Sequence, residues 1–161
     1  MSTVRRSPGR IVVAVSRSTA SRAAVLWAAQ EAYVRQGVLL VTHLDLTTAH
    51  APEPDHAAAA CRRLLMEFAS LASDAEPGIA VGTVLLTGGI SDELIRLSRA
   101  ADLLVVGIDQ ESHGPGPDGL GPIEDRVLHE AHCPVVLVRD PADSAVVAEG
   151  RQSQVFGPAG R

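Results

Sequence analysis

Ile11-Val12-Val13-Ala14-Val15, opened by Pro8-Gly9 and closed by Ser16-Arg17-Ser18, is a five-residue apolar run, β-branched at most positions. It reads as a strand buried on both faces. The next segment, Thr19 to Gln36, is rich in Ala, Leu, Gln and Glu, with Ser18 or Thr19 as N-cap and Gly37 where a helix stop belongs. A second apolar run follows from Val38 to Leu46, then a Pro- and His-bearing loop over 47–54 and a helix from about Asp55 to Ala72. Ile79 to Leu86 predicts the third strand, and Gly88-Gly89 turns the chain into a helix over Ser91 to Arg99, with Asp92 and Glu93 in its first turn. Asp102 to Gly107 predicts the fourth strand, Ile123 to Ala131 a helix opened by Pro122, and Pro134 to Val138 the fifth strand. That helix would place Ile123, Val127, Leu128 and Ala131 on one face. Strand and helix alternate throughout, which predicts an α/β domain with a doubly wound five-stranded parallel sheet, helices on both faces, and strand order 3-2-1-4-5.

Composition agrees with that architecture. The chain has 161 residues, enough for one core, with 46% hydrophobic and only 2% aromatic residues, so the interior is aliphatic. Residues 1–9 form an N-terminal arm, 10–140 the domain, and 141–161 a flexible tail in which Val146, Val147, Val155 and Phe156 are the residues available to bury. The formal charge is −5, and all 14 basic residues are Arg, so a basic nucleic-acid surface is disfavoured. Cys61 and Cys133 lie far apart without metal spacing, and no stretch reaches the length of a signal core or a membrane span. A cytoplasmic protein with no membrane contact is expected.

In an open parallel sheet, ligands bind beyond the carboxyl ends of the strands where the winding reverses. Here the first and fourth strands flank that point, so the loops over 16–19 and 107–121 face it. The latter holds Gly114, Gly116, Gly119 and Gly121. Its Gly114-Pro115-Gly116-Pro117-Asp118-Gly119 satisfies a dinucleotide pattern but lies well beyond the strand end, and Pro115 and Pro117 cannot donate to a pyrophosphate, so a surface loop is the better reading. His129 and His132 have spacing that could share a metal, yet no third ligand is signalled, and imidazoles near a helix C-terminus need no metal to explain them. His43 is unremarkable singly. Thr83, Ser91 and Ser98 have no base placed beside them, so hydrolase chemistry has no support and no catalytic residue is assigned.

The opening Ile11 to Ser18, the helix bearing Trp27-Ala28-Ala29, Ala101 to Gly107, and Arg126-Val127-Leu128 followed by Cys133-Pro134-Val135-Val136 together resemble the universal stress protein family over roughly residues 10–140. The resemblance implies the 3-2-1-4-5 sheet, pairing of copies through the fifth strand, and adenine-nucleotide binding in some members. Nucleotide-binding members carry an Asp at the end of the first strand and Gly-x2-Gly-x9-Gly-Ser/Thr after the fourth. The corresponding site here is lined by Val15, Ser16, Leu44, Gly107, Gln110, His113, Gly121 and Pro122, and it departs from the pattern. Ser16 stands at the Asp position. Gln110 replaces the second Gly, where a left-handed backbone costs about 1–2 kcal/mol. Gly121 comes one residue late, and Pro122 replaces the hydroxyl residue, removing a hydroxyl and an N–H together.

Charge points the same way. Asp109, Glu111, Asp118, Glu124 and Asp125 precede Arg126, with His113 the one potentially cationic group among them; Arg17 and Arg22 could assist from the opposite loop. A helix N-terminus favours an anion by roughly 0.3–1 kcal/mol, whereas a like charge at about 4 Å opposes it by about 1 in water and about 4 at an effective dielectric of 20. The expectation is a non-catalytic stress-response or regulatory module with a degraded nucleotide site and no cofactor. The alternative is an ATP or AMP sensor in which Mg²⁺ offsets the acids. For the fifth strand, Val135, Val136, Leu137 and Val138 are expected at a homodimer interface, which would satisfy the open edge; the alternative is that the tail folds back over it.

Overall fold

The computed structural model describes residues 8–44, 54–108, 120–140, 147–149 and 155–156. In chain order these form β1 (Arg10–Val15), α1 (Thr19–Val34), β2 (Val38–Leu44), α2 (Pro54–Ala75), β3 (Ala80–Leu86), α3 (Ile90–Ser98), β4 (Leu103–Ile108), α4 (Pro122–Glu130), β5 (Val135–Arg139), β6 (Val147–Glu149) and β7 (Val155–Phe156). β1 to β5 are parallel in the order β3-β2-β1-β4-β5, the doubly wound arrangement that the alternation predicts. Two short antiparallel strands, β6 and β7, extend the sheet beyond β5.

β1 is the central strand, and its side chains alternate between two cores as a pleated strand requires. Ile11, Val13 and Val15 pack with Ala24, Val25 and Ala28 of α1 and Leu65 and Ala72 of α2. Val12 faces the opposite way, into a second cluster with Leu94 of α3, Leu104 and Val106 of β4, Val127 of α4 and Leu137 of β5. With aromatics nearly absent, closeness of approach replaces side-chain bulk. Ala20, Ala24, Ala28 and Ala32, four apart on α1, are fully buried and let that helix lie low on the sheet.

Polar groups inside the sheet are satisfied locally. Thr42 is buried and donates its hydroxyl to the Val13 carbonyl at 3.0 Å. Asp102 joins β1 to the start of β4, accepting from the Arg10 amide at 2.7 Å through its carboxylate while its own amide donates to the Arg10 carbonyl at 2.8 Å. Buried Ser98 donates to the Ile95 carbonyl at 2.6 Å and accepts from the His132 amide at 2.9 Å, fastening the end of α3 to the turn before β5.

Several local expectations need correction. The left-handed residue ending α1 is Gln36, with φ of 52°, not Gly37. Gly37 donates its amide to the Ala32 carbonyl at 2.8 Å, and a Cβ there would lie 2.2 Å from the Gly9 carbonyl oxygen, so glycine is needed for close approach rather than for φ. α3 is capped by Gly89, two residues before Ser91, and no side chain bonds its end. On α4, Val127 and Ala131 are buried, whereas Ile123 is 37% exposed, so it is not part of the buried face. Within the tail, 147–149 and 155–156 are strands. The β5 edge is covered from within the chain: β6 pairs antiparallel with it, Val136 opposite Glu149 and Leu137 opposite Ala148. Within this one chain the folded-back tail occupies part of that edge, at Val136 and Leu137.

Candidate functional site

The carboxyl ends of β1 and β4 lie side by side, the register running from Ile11 opposite Leu103 to Ala14 opposite Val106, and the β1–α1 turn rises between them. Val15 closes β1, Leu44 closes β2, Gly107 lies near the end of β4, and Gly121-Pro122 open α4. Gln110, His113 and the Gly114 to Gly119 pattern lie outside the described residues.

At the β1–α1 turn three serine hydroxyls accept from the amides of Ser16, Ser18 and Ser21. The Ser16 amide donates to Ser21 Oγ at 2.8 Å, the Ser18 amide to Ser16 Oγ at 3.3 Å, and the Ser21 amide to Ser18 Oγ at 3.3 Å. The hydroxyls are linked in turn, Ser18 to Ser21 at 3.1 Å and Ser16 to Ser21 at 3.3 Å. Ser21, only 2% exposed, is the centre of the set, while Ser16 faces solvent. Ser18 is a side-chain N-cap, the geometry its residue type favours. Anion-binding turns work by leaving amides free to point at the ligand. Here the amides of 16, 18 and 21 already have acceptors.

Gly107 also has a structural occupation. A Cβ at that position would stand 2.8 Å from the Ala20 carbonyl oxygen, 2.9 Å from its carbon and 3.1 Å from the Ser21 nitrogen. The first turn of α1 therefore rests directly on the β4 backbone, and only glycine admits it. On the other side of β1, His43 of β2 is 2.7 Å through Nδ1 from the Val15 carbonyl. That contact makes Nδ1 the protonated donor and engages the last carbonyl of β1.

The start of α4 is poor in donors. Gly121 is its N-cap and supplies no side-chain bond, Pro122 occupies the first turn without an N–H, and Glu124 and Asp125 add negative charge there. The guanidinium on α4 is not available to a ligand as a lone cation. Arg126 donates to Asp92 of α3 and to Glu130 at 2.7 Å each. Glu130 and then Asp92 raise its pKa, so it is a fixed positive charge between two carboxylates. Arg96 is likewise paired with Glu93. Arg17 and Arg22 are exposed.

The remaining candidates do not gather into a reactive group. His129 Nδ1 donates to the Asp125 carbonyl one turn back at 2.7 Å. Among the described residues, no three His, Cys, Asp or Glu side chains converge as a metal site. Burial, reinforced by Asp102, pushes the Cys133 thiol up to about 11, the opposite of an activated nucleophile. An open groove lies at the other end of the sheet, between the end of α1 and the start of β3, and its lining of Tyr33, Val34, Pro77 and Ile79 among others includes no carboxylate, guanidinium, imidazole or thiol.

Comparison with known proteins settles the family. The sequence model of the universal stress protein family matches residues 8–139. The chain belongs to that family. A universal stress protein of Mycobacterium tuberculosis is 29% identical over an alignment that covers 91% of this chain and 52% of the relative. This universal stress protein family member thus spans about half the length of the curated relatives it matches. A universal stress protein structure from Archaeoglobus fulgidus superposes with a TM-score of 0.67 at 22% identity, covering 81% of this chain and 93% of that one. A universal stress protein in complex with cAMP gives 0.65 at 24% identity, covering 84% and 99%. These likenesses are to the fold.

The serine network and the pairing of Arg126 with Asp92 are the site features that sequence reading missed. Ser18 and Ser21, three apart at a helix start, were a legible capping signal, but the return bond from the Ser16 amide to Ser21 needs the turn's three-dimensional path. No local pattern announces a bond between Arg126 and Asp92, which are 34 residues apart on different helices.

Proposed function

We propose that this universal stress protein family member is a non-catalytic stress-response or regulatory module whose adenine-nucleotide site is degraded. The observation that carries this reading is the occupation of the Ser16, Ser18 and Ser21 amides by serine hydroxyls at the point where a phosphate would need them. The second helix end at the crevice reinforces it, since Pro122 removes one amide and Glu124 and Asp125 oppose an anion. Accepting a triphosphate would mean breaking the serine set against unfavourable charge. The functional unit is residues 10–140, and with neither Cys61 nor Cys133 in a disulfide a cytoplasmic setting suits the chain.

A second reading, in which ATP or AMP is held with Mg²⁺, draws support from the structural neighbour crystallised with cAMP. A divalent ion would recruit acids such as Glu124 as ligands instead of leaving them to repel phosphate. Titration calorimetry with ATP and AMP, each with and without Mg²⁺, separates the two. The degraded site gives dissociation constants weaker than about 1 mM in every case, while micromolar binding in the presence of Mg²⁺ establishes the sensor.

A further inference from the structure

β3 ends the strand order opposite to the tail, and among the described residues no strand lies on its outer side. Its inner side is fully engaged, in unbroken register with β2 from Val38 opposite Ala80 to Leu44 opposite Leu86. Ala80 to Leu86 holds no charge, no proline and no bulge, the devices that blunt an edge strand. Backbone groups of a strand point alternately to its two sides, so part of the β3 ladder faces outward. This edge also has a distinct relief. Gly82 stands opposite Leu40, and a Cβ built on it would meet Leu40 Cδ1 at 3.4 Å with no other described atom within 4 Å beyond its chain neighbours. The helices on that face are centred elsewhere, Leu94 of α3 and Val127 of α4 packing with Val12, Leu104 and Leu137. Leu40 and Val84, at the margin of that cluster, are only half-buried, and Ala80 is exposed. Gly82 therefore leaves a notch floored by Leu40, next to Val84, at the rim of the sheet.

We propose that the β3 edge takes, by strand addition, an extended and uncharged segment of a partner protein that lays a bulky apolar side chain over Gly82. Each part of that description has its own cause. The outward backbone groups call for a strand, which supplies main-chain hydrogen bonds of any sequence. The absence of charge from Ala80 to Leu86 calls for an uncharged one, because a charge set against Leu40 and Val84 would lose water and find no counter-charge on the edge. The notch calls for bulk, since a glycine in a strand is covered best by a large side chain on its neighbour. A second copy of this chain meets the last requirement poorly. Paired antiparallel about Thr83, it would set opposite Gly82 a Val84 that already packs in its own second cluster. The inference is independent of the nucleotide crevice, which lies at the carboxyl ends of β1 and β4.

The test uses the full chain and two capped, fluorescein-labelled heptapeptides of alternating threonine and valine, the central residue being phenylalanine in one and alanine in the other. Fluorescence anisotropy is followed up to about 1 mM protein, and hydrogen exchange locates the bound peptide. The phenylalanine peptide is expected to bind with a dissociation constant below about 1 mM, the alanine peptide at least about fivefold more weakly, with amide protection gained in β3 and not in β5. Gly82→Val fills the notch from within, and its Cβ meets Leu40 at an ordinary contact distance, so thermal unfolding should show a folded variant that binds the two peptides to within about twofold. No binding of the phenylalanine peptide, equal binding of both by wild type, protection in β5 in place of β3, or a preference that survives Gly82→Val would each overturn the proposal. Light scattering that finds wild-type dimers whose β3 amides gain protection with concentration would overturn it in favour of a second copy. Should Gly82→Val fail to fold, the peptide preference and the exchange pattern of wild type decide.

Discussion

Gly107→Ala is the sharpest test of how the crevice is built. The added methyl would lie 2.8 Å from the Ala20 carbonyl oxygen and 2.9 Å from its carbon, where ordinary contacts begin at 3.4 Å, so α1 and β4 must part by about half an ångström. The obstacle is backbone, which cannot rotate aside. Ala20, Ala24, Ala28 and Ala32 are fully buried along the same helix, so lifting α1 opens gaps along that seam. Overpacking of this kind costs about 1–3 kcal/mol, and for a domain of this size that is roughly a 3–10 °C fall in melting temperature. Differential scanning calorimetry of the two chains measures it. A melting temperature within about 1 °C of wild type would refute the view that this glycine exists for helix–strand contact.

Other expectations concern the turn and the thiol. Ser21→Ala removes the acceptor of the Ser16 amide and the centre of the hydroxyl set, and because Ser16 reaches water the loss is about 1 kcal/mol in chemical denaturation, with faster hydrogen exchange at the Ser16 amide; unchanged exchange there would contradict the assigned bond. Cys133, its thiol pushed up to about 11, should react with iodoacetamide at pH 8 at least about tenfold more slowly in the folded chain than in denaturant. The sign of its pH effect follows: the unfolded chain gives up that proton near its ordinary value while the folded chain retains it, so Cys133 erodes stability as pH rises from about 9 towards 11. In Cys133→Ala that contribution to the alkaline loss should disappear from urea midpoints measured across the range.

The sheet was legible because its strands are short aliphatic runs bounded by Gly, Pro and polar residues. Ile11 to Val15 and Leu103 to Val106 announce burial on both faces without any help from tertiary structure. Punctuation was less faithful. Gly37 marks the end of α1 in the sequence, but the left-handed conformation falls on Gln36, because Gly37 is fixed by its approach to Gly9. Residues 147–149 lie within a stretch rich in Pro, Ala, Ser and Gly, and form a strand because β5 offers them an edge, a cause that lies outside their own sequence. At the candidate site, Ser16 and Pro122 were readable as departures from the nucleotide-binding pattern that the resemblance implies. That Ser16, Ser18 and Ser21 close on one another was not, because those bonds depend on the turn placing three hydroxyls within reach of three amides.

The central claim of the proposal is that, among the described residues, these closed amides and the acidic start of α4 disfavour a phosphate. Mass spectrometry of small molecules released by denaturing freshly purified protein tests it without choosing a ligand in advance. The account predicts adenine nucleotide far below one equivalent per chain, with or without Mg²⁺ in the buffers. A full equivalent of ATP, AMP or cAMP carried through purification would contradict it.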